Sequence, residues 1–278
     1  MSNAIPGAVP AGKQIIDTHT HIFPDDLANR AVSEVCSTHV IPSYNSGTVT
    51  ALREQMKRCG VSRSCILGVA TKPAQVRIIN EFLSRTACQF TELIPIGTVY
   101  PGSTSGEETL DMIKEFSLKG FKLHAYYQDF KINDPKLDDM YAALEEAGLP
   151  VIFHAGYEIK GEFENCGSRP QEFIELKKRF KKLNIVLAHL GGNLMHDLVE
   201  KELTRLDVYF DTAYIAEYIS SEQFKRIVNK HGAEKVLFAS DSPWGDMKKH
   251  IDLVNDSGLN SAQKDMIFSK NAGYLYNI

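Results

Sequence analysis

Long hydrophobic runs and paired cysteines are missing from this sequence of 278 residues. Its most basic run, ELKKRFKK, has apolar residues at helical spacing and is interpreted as the solvated face of a helix. No stretch stays apolar for the roughly 20 positions that a membrane-spanning helix needs. The five cysteines form no CxxC pair, which argues against a disulfide framework and favours reduced thiols. The formal net charge is -4, and no basic, aromatic-rich stripe indicates nucleic-acid binding. These absences predict a cytoplasmic protein without membrane or nucleic-acid partners.

A secretory leader and an internal linker are also missing. Residues 1–13 lack the apolar core of a signal peptide, and we expect them to form a flexible N-terminal arm. No low-complexity stretch divides the remaining residues, 14–278, so a single domain is predicted there. With 43% hydrophobic residues, the chain has enough apolar surface for one large core.

Strand-like runs alternate with helical patterns along the whole domain. Eight short apolar runs are found, from IIDTHTH near the N-terminus to KVLFASDSPWG near the C-terminus, and nearly all precede a helix-like segment. This alternation is typical of a parallel sheet with both faces buried. Eight units in about 260 residues predict an α/β fold, a (β/α)8 TIM barrel. A doubly wound open sheet is the alternative, but no GxGxxG turn follows the first strand to support it.

The nine histidines fall into two classes. Four lie in predicted helices among charged neighbours, and we expect exposed imidazoles there: His39, His196, His231 and His250. The other five lie at the carboxyl ends of predicted strands: His19, His21, His124, His154 and His189. The eighth strand repeats this shape with Asp241 in place of a histidine. In a (β/α)8 barrel these strand ends meet at one mouth, where active sites are built.

Imidazole and carboxylate groups collected at one mouth predict a metal site. Neutral histidine and aspartate are common ligands of Zn²⁺ and similar ions. A single buried histidine is more often structural, and for His124 alone the two interpretations are equally supported. For the set, the structural interpretation fails, because each unsatisfied buried polar group costs about 1–3 kcal/mol. A shared cation removes that cost.

Four motifs in order resemble the amidohydrolase superfamily: DTHTH, VIFHAG, VLAHLGG and LFASDSPWG. More narrowly, they resemble its amidohydrolase-2 branch, which contains small lactonases, other hydrolases and aromatic-acid decarboxylases. The similarity runs from about Asp17 to Tyr276. It implies one divalent ion, Zn²⁺ first and Mn²⁺ as the alternative, held by four ligands: His19, His21, His154 and Asp241. It also implies that Asp241 accepts a proton and that His189 is a second catalytic group.

Lys122 admits two interpretations. Other branches of the superfamily carry a carboxylated lysine on the fourth strand that bridges two ions, which is the less favoured alternative here. We expect instead that Lys122 and His124 bind a carboxylate or carbonyl of the substrate. Arg169 is a weaker candidate for the same task. Three aromatic residues follow active-site strands and are candidates for the pocket wall, although ordinary loop packing explains them as well: Tyr126, Tyr127 and Trp244. Asp17 is a candidate to orient one of the first two histidines.

The resemblance implies a hydrolase that cleaves a lactone, ester or amide bond of a small acidic substrate with activated water. The alternative is a lyase that removes CO2 from an aromatic or enol acid without oxidation. The compact chain favours the hydrolase, since the decarboxylases of this branch are usually longer. A non-catalytic metal-binding barrel is the least favoured interpretation. Dimers are common among such barrels, so a homodimer is compatible with the resemblance.

Overall fold

Eight parallel strands form a barrel in the computed structural model, which describes residues 14–158 and 168–278. The predicted N-terminal arm at residues 1–13 lies outside these ranges. The strands are β1 (Ile16–Thr20), β2 (Arg63–Leu67), β3 (Leu93–Thr98), β4 (Phe121–Leu123), β5 (Val151–Phe153), β6 (Ile185–Leu187), β7 (Tyr209–Asp211) and β8 (Val236–Leu237). Each pairs in parallel with the next. The predicted (β/α)8 barrel is confirmed.

Helices follow the strands, as the alternation predicted. The α-helices are α1 (Asp25–His39), α2 (Val49–Cys59), α3 (Gln75–Gln89), α4 (Gly106–Phe116), α5 (Asp138–Ala147), α6 (Pro170–Arg179), α7 (His196–Glu202), α8 (Ser221–His231), α9 (Met247–Asp256), α10 (Ser261–Asp265) and α11 (Asn271–Tyr276). The ends of these helices carry common capping residues. Ser105 and Glu108 form a capping box before α4, and Gly60 ends α2 with φ +73°. None of the described helices is long and apolar enough to cross a membrane.

The first and last strands meet at a seam. The Thr18 amide donates to the carbonyl of Phe238 at 2.9 Å, and the Asp241 amide donates to the carbonyl of His19 at 2.9 Å. The barrel interior is packed with strand side chains such as Ile96 and Val186, together with Tyr276 of α11. The strands are buried on both faces, which explains their continuous apolar sequences.

The prediction that the helical histidines are exposed is wrong. His39, His196, His231 and His250 are each exposed by 8% or less. Their charged neighbours mark the solvent face of each helix, but the imidazoles lie on the opposite face, against the barrel. There they find polar partners. His231 Nε2 donates to the Val208 carbonyl at 3.0 Å, for example.

His231 predicts an acid-sensitive stability. Burial lowers its pKa to about 4, from 6.5, so the unfolded chain binds the additional proton between these pH values. Stability is therefore retained above pH 6.5 and lost as the pH falls toward 4, by about 2 kcal/mol between pH 7 and pH 5 for this group. His231→Phe keeps a ring against Phe210 and removes the titrating group. Urea unfolding at both pH values should show a smaller loss in the variant, and an equal loss would contradict this assignment.

Candidate active site

The carboxyl ends of the strands enclose a cavity of about 670 Å³. All five predicted strand-end histidines line it, together with Lys122 and Asp241: His19, His21, His124, His154 and His189. The arrangement of the barrel therefore brings these side chains to one mouth, as the sequence predicted. Their contacts divide the possible metal-binding residues of the described part of the chain into two groups.

His19, His21 and Asp241 form the first donor group. Asp241 Oδ1 lies 3.6 Å from His19 Nε2 and 3.5 Å from His21 Nε2. The other nitrogen of each ring is already engaged. His19 Nδ1 lies 2.8 Å from Asp211 Oδ2, and His21 Nδ1 donates to the Leu67 carbonyl at 3.1 Å. Both rings therefore direct an Nε2 lone pair toward Asp241, which is how metal-binding histidines are usually held.

The electrostatics of this group suit a divalent cation. Burial and the nearby Lys122 lower the pKa of His19 to about 4, so its ring is neutral. Burial alone would raise the pKa of Asp241, but its contacts with the His19 and His21 rings hold it well below its usual range. Neutral imidazoles and an ionised carboxylate are the forms that bind metal. The Asp241 backbone has φ +65°, a strained conformation of the kind that clusters at functional sites.

His124, His154 and Glu158 form the second donor group. Glu158 Oε1 lies 2.9 Å from His124 Nε2 and 3.3 Å from His154 Nε2. The resemblance implied that His154 joins the first group. In the structure its Nε2 faces Glu158, whereas its Nδ1 lies 3.0 Å from His189 Nε2. Both donor groups line the same cavity, and one ion shared by His154, His19, His21 and Asp241 stays a prediction.

His189 and Lys122 lie close to the first group. His189 Nδ1 donates to the Ala213 carbonyl at 2.9 Å and lies 4.0 Å from Asp241 Oδ2. Lys122 Nζ lies 3.3 Å from His19 Nε2, on the same nitrogen that faces Asp241. Burial lowers the pKa of Lys122 to about 8. The bridging role of a carboxylated Lys122 stays a prediction, as does its role in substrate binding.

Two acidic residues of this site were missed. Asp211 ends β7 and orients His19, the task predicted for Asp17. Asp17 instead accepts from the amides of His19 at 3.2 Å and Ser240 at 3.0 Å, so it fixes the backbone and not the ring. Asp211 follows the strand-end rule that identified the histidines, and the sequence could have revealed it. Glu158 lies in the loop after β5, where no pattern marks it.

The remaining substrate-binding candidates differ in position. Trp244 lines the cavity, with its ring 5.2 Å from that of His21. Tyr126 and Arg169 are not among the described residues that line it. Tyr126 is 48% exposed, and Arg169 is an exposed residue that immediately precedes α6. Of the two neighbouring tyrosines that the sequence offered as wall residues, Tyr127 lines the cavity.

Comparison with known proteins agrees with this fold. The amidohydrolase family profile matches residues 16–278. The structure resembles 5-carboxyvanillate decarboxylase LigW of Sphingomonas paucimobilis with a TM-score of 0.74, at 17% identity over 96% of this chain and 100% of that one. A 5-carboxyvanillate decarboxylase of Novosphingobium aromaticivorans with bound manganese also gives 0.74, at 13% identity over 96% and 98% of the two chains.

A third structural relative is 2,6-dihydroxybenzoate decarboxylase from Rhizobium. It gives a TM-score of 0.70 at 14% identity, over 96% of this chain and 98% of its own. No curated protein matches this sequence. At these identities the three structures show a shared fold. Each of them aligns with this chain over nearly its whole length.

Proposed function

Since the chain belongs to the amidohydrolase family over residues 16–278, we propose that it is a metal-dependent decarboxylase of a small hydroxylated aromatic acid. Support for a decarboxylase over a hydrolase comes from the structural relatives, whose names specify removal of CO2 from substituted benzoates. The chemistry proposed for this chain must come from its own site, because one fold hosts many reactions.

The observation that carries the proposal is the two-sided character of the cavity. One part is polar and holds Lys122 beside the first donor group. The rest of its wall includes apolar side chains, among them Phe23, Val69, Ile79 and Phe82. Binding sites of this kind accept an apolar body and fix it through a few polar contacts. An aromatic ring with adjacent carboxylate and hydroxyl groups has this division of polarity.

The first donor group fits a divalent ion, for which His19, His21 and Asp241 are the proposed ligands. When bound, such an ion supplies a Lewis acid that holds and polarises the carboxylate and hydroxyl oxygens of the substrate. The donor set, two imidazoles and a carboxylate, is compatible with both Zn²⁺ and Mn²⁺. Manganese in one structural relative favours testing Mn²⁺ alongside Zn²⁺.

The side chains of this protein supply the remaining chemistry. Lys122, buried beside His19, attracts the substrate carboxylate by charge. Asp241 accepts the proton of a ring hydroxyl and delivers it to the ring carbon that bears the carboxylate. The C–C bond to the carboxylate then breaks, and its electron pair returns to the ring as CO2 leaves. The phenolate product takes a proton from solvent.

A direct assay separates this proposal from hydrolysis. Protein loaded with Zn²⁺ or Mn²⁺ would be given a panel of hydroxybenzoates, with CO2 release measured, and a panel of lactones, with ring opening measured. We expect CO2 from at least one benzoate that carries a hydroxyl next to its carboxylate. Lactone opening without any CO2 release would overturn the proposal and support the hydrolase that the sequence favoured.

A further inference from the structure

We propose that the substrate carries a hydrocarbon substituent on the side of its ring away from the carboxylate, and that an apolar arm of the cavity binds this substituent. This assignment rests on the reaction proposed above, because it specifies a further part of the same substrate. The apolar arm is the part of the cavity between α1 and α3. Its wall is formed by six side chains: Leu27, Ala31, Val35, Ile78, Ile79 and Phe82.

The apolar arm is built from one stripe of side chains on each helix. In α1 the lining residues Leu27, Ala31 and Val35 recur at every fourth position. In α3 the lining residues Ile78 and Phe82 have the same spacing. Residues four apart lie on one face of a helix, so each helix turns one apolar stripe toward the cavity.

Side chains of the apolar arm stay open, although their helices have a barrel to pack against. Leu27 is 40% exposed and Ile78 is 69% exposed, and Ile79 is partly exposed. Single exposed apolar residues are ordinary, but a contiguous set that lines one concavity marks a binding surface. The charged residues that line the cavity from α1, Arg30 and Glu34, are themselves exposed, so their charges stay in water.

One wall of the apolar arm begins at the first donor group. His21 Nδ1 donates to the carbonyl of Leu67, the last residue of β2, at 3.1 Å. The next residue is Gly68, where a Cβ atom would lie only 2.4 Å from Ile79 Cγ2. Because Gly68 has no side chain, α3 can pack directly against the strand end that holds His21. Ile79 is therefore close to the part of the cavity where the reaction is proposed.

The other wall starts from the same histidine. The centroid of the Trp244 ring lies 5.2 Å from that of His21 and 6.3 Å from that of Phe23. Phe23 lines the cavity just before α1 begins, and Leu27 follows in the first turn of that helix. An apolar path thus leads from the first donor group to Leu27, where water has access.

The proposed anchor for the carboxylate lies on a different strand from the apolar arm. Lys122 belongs to β4, and its Nζ lies 3.3 Å from His19 Nε2, whereas the arm follows β1 and β2. A carboxylate at Lys122 therefore leaves the far side of the ring for the arm. The cavity of about 670 Å³ is of the size that encloses drug-sized molecules, which are larger than a hydroxybenzoate. A substituent that fills the arm releases water from its apolar walls, which favours binding.

Binding of a homologous series tests the assignment. The probes are benzoates with a methyl, ethyl, propyl or butyl group para to the carboxylate. They lack the hydroxyl proton that the proposed reaction transfers, so binding is measured without turnover. Isothermal titration calorimetry of the metal-loaded, full-length protein should show the dissociation constant decreasing about three- to fourfold for each added CH2 group. A dissociation constant that does not depend on chain length, or no binding by any probe, would overturn the assignment.

Variants locate the alkyl chain. Ala31→Phe narrows the apolar arm, and we expect it to abolish the dependence on chain length. Ala142→Phe is the matched control and should keep the wild-type dependence, since Ala142 is exposed on α5 and is not among the described residues that line the cavity. Ile78→Asp is a second variant, should Ala31→Phe fail to fold by circular dichroism, and its charge should weaken binding of the butyl probe more than the methyl probe. An unchanged dependence in the folded arm variants would exclude the arm as the binding site.

The results distinguish this assignment from the proposed reaction. CO2 release from a hydroxybenzoate, together with binding that does not depend on chain length, would support the reaction and exclude the assignment. The expected dependence without CO2 release from any hydroxybenzoate would support the assignment and exclude the reaction. If binding does not depend on chain length and the protein elutes as a dimer in size-exclusion chromatography, a second copy of the chain becomes the better candidate to cover Leu27 and Ile78.

Discussion

Asp241→Asn is expected to lower CO2 release by about 10²–10⁴-fold, the range over which positioned acid–base groups contribute. The amide has nearly the shape of the carboxylate, but it cannot accept the hydroxyl proton and return it to carbon. Its oxygen also carries no full charge to bind a cation between His19 and His21. Both the reaction and metal retention should therefore decline, because one side chain serves both.

A matched control exists five residues further along the chain. Asp246 caps α9 by accepting from the amides of Lys248 and Lys249, and asparagine caps helices equally well. Asp246→Asn should therefore keep wild-type activity and metal content. Circular dichroism and thermal unfolding would confirm that both variants fold. Full activity in Asp241→Asn would exclude the role assigned to this carboxylate.

Lys122→Met has the second largest expected effect. Removing one partner of a buried charge pair costs about 2–5 kcal/mol, which corresponds to roughly 30- to several thousand-fold in kcat/KM. The ammonium is 2% exposed and lies near the carboxylates of Asp211 and Asp241. Methionine preserves the length of the side chain without its charge. Steady-state kinetics with the best benzoate should show a higher KM if Lys122 binds the substrate carboxylate.

The same variant distinguishes the two interpretations of Lys122. If the lysine binds substrate, the number of metal ions per chain should be unchanged in Lys122→Met. If it were carboxylated and bridged two ions, the count would decrease along with the activity. Lys114→Met, on the exposed face of α4, provides the same substitution away from the cavity and should have no effect on either measurement.

The fold was accessible from the sequence because a barrel strand buried on both faces must be apolar, and the helix that covers it must be amphipathic. The strand-end rule then located His19, His21 and Asp241, since the position of a residue along a barrel strand determines which end it faces. The same rule would have located Asp211, which closes the apolar run of β7.

The strand-end rule could not locate site residues that lie outside the strands. Glu158 lies in a loop, where backbone direction follows no sequence period, and Tyr126 and Tyr127 differ only in the side of a turn that each one faces. The helical histidines were misjudged because their neighbours along the chain share the helix but not its face. Which of the donors would share one ion depends on side-chain directions, which no spacing encodes. Homodimer formation stays a prediction.

The order of the donor residues along the chain determines what each fragment would contain if the barrel were split in two. A fragment ending after β4 would carry His19, His21 and His124, whereas the complementary fragment would carry His154, Glu158 and Asp241. Each donor group thus takes members from both half-barrels, and neither fragment contains a complete set. Tight metal uptake at the first donor group by a mixture of the separately produced halves would therefore report that they have reassembled across the β1–β8 seam.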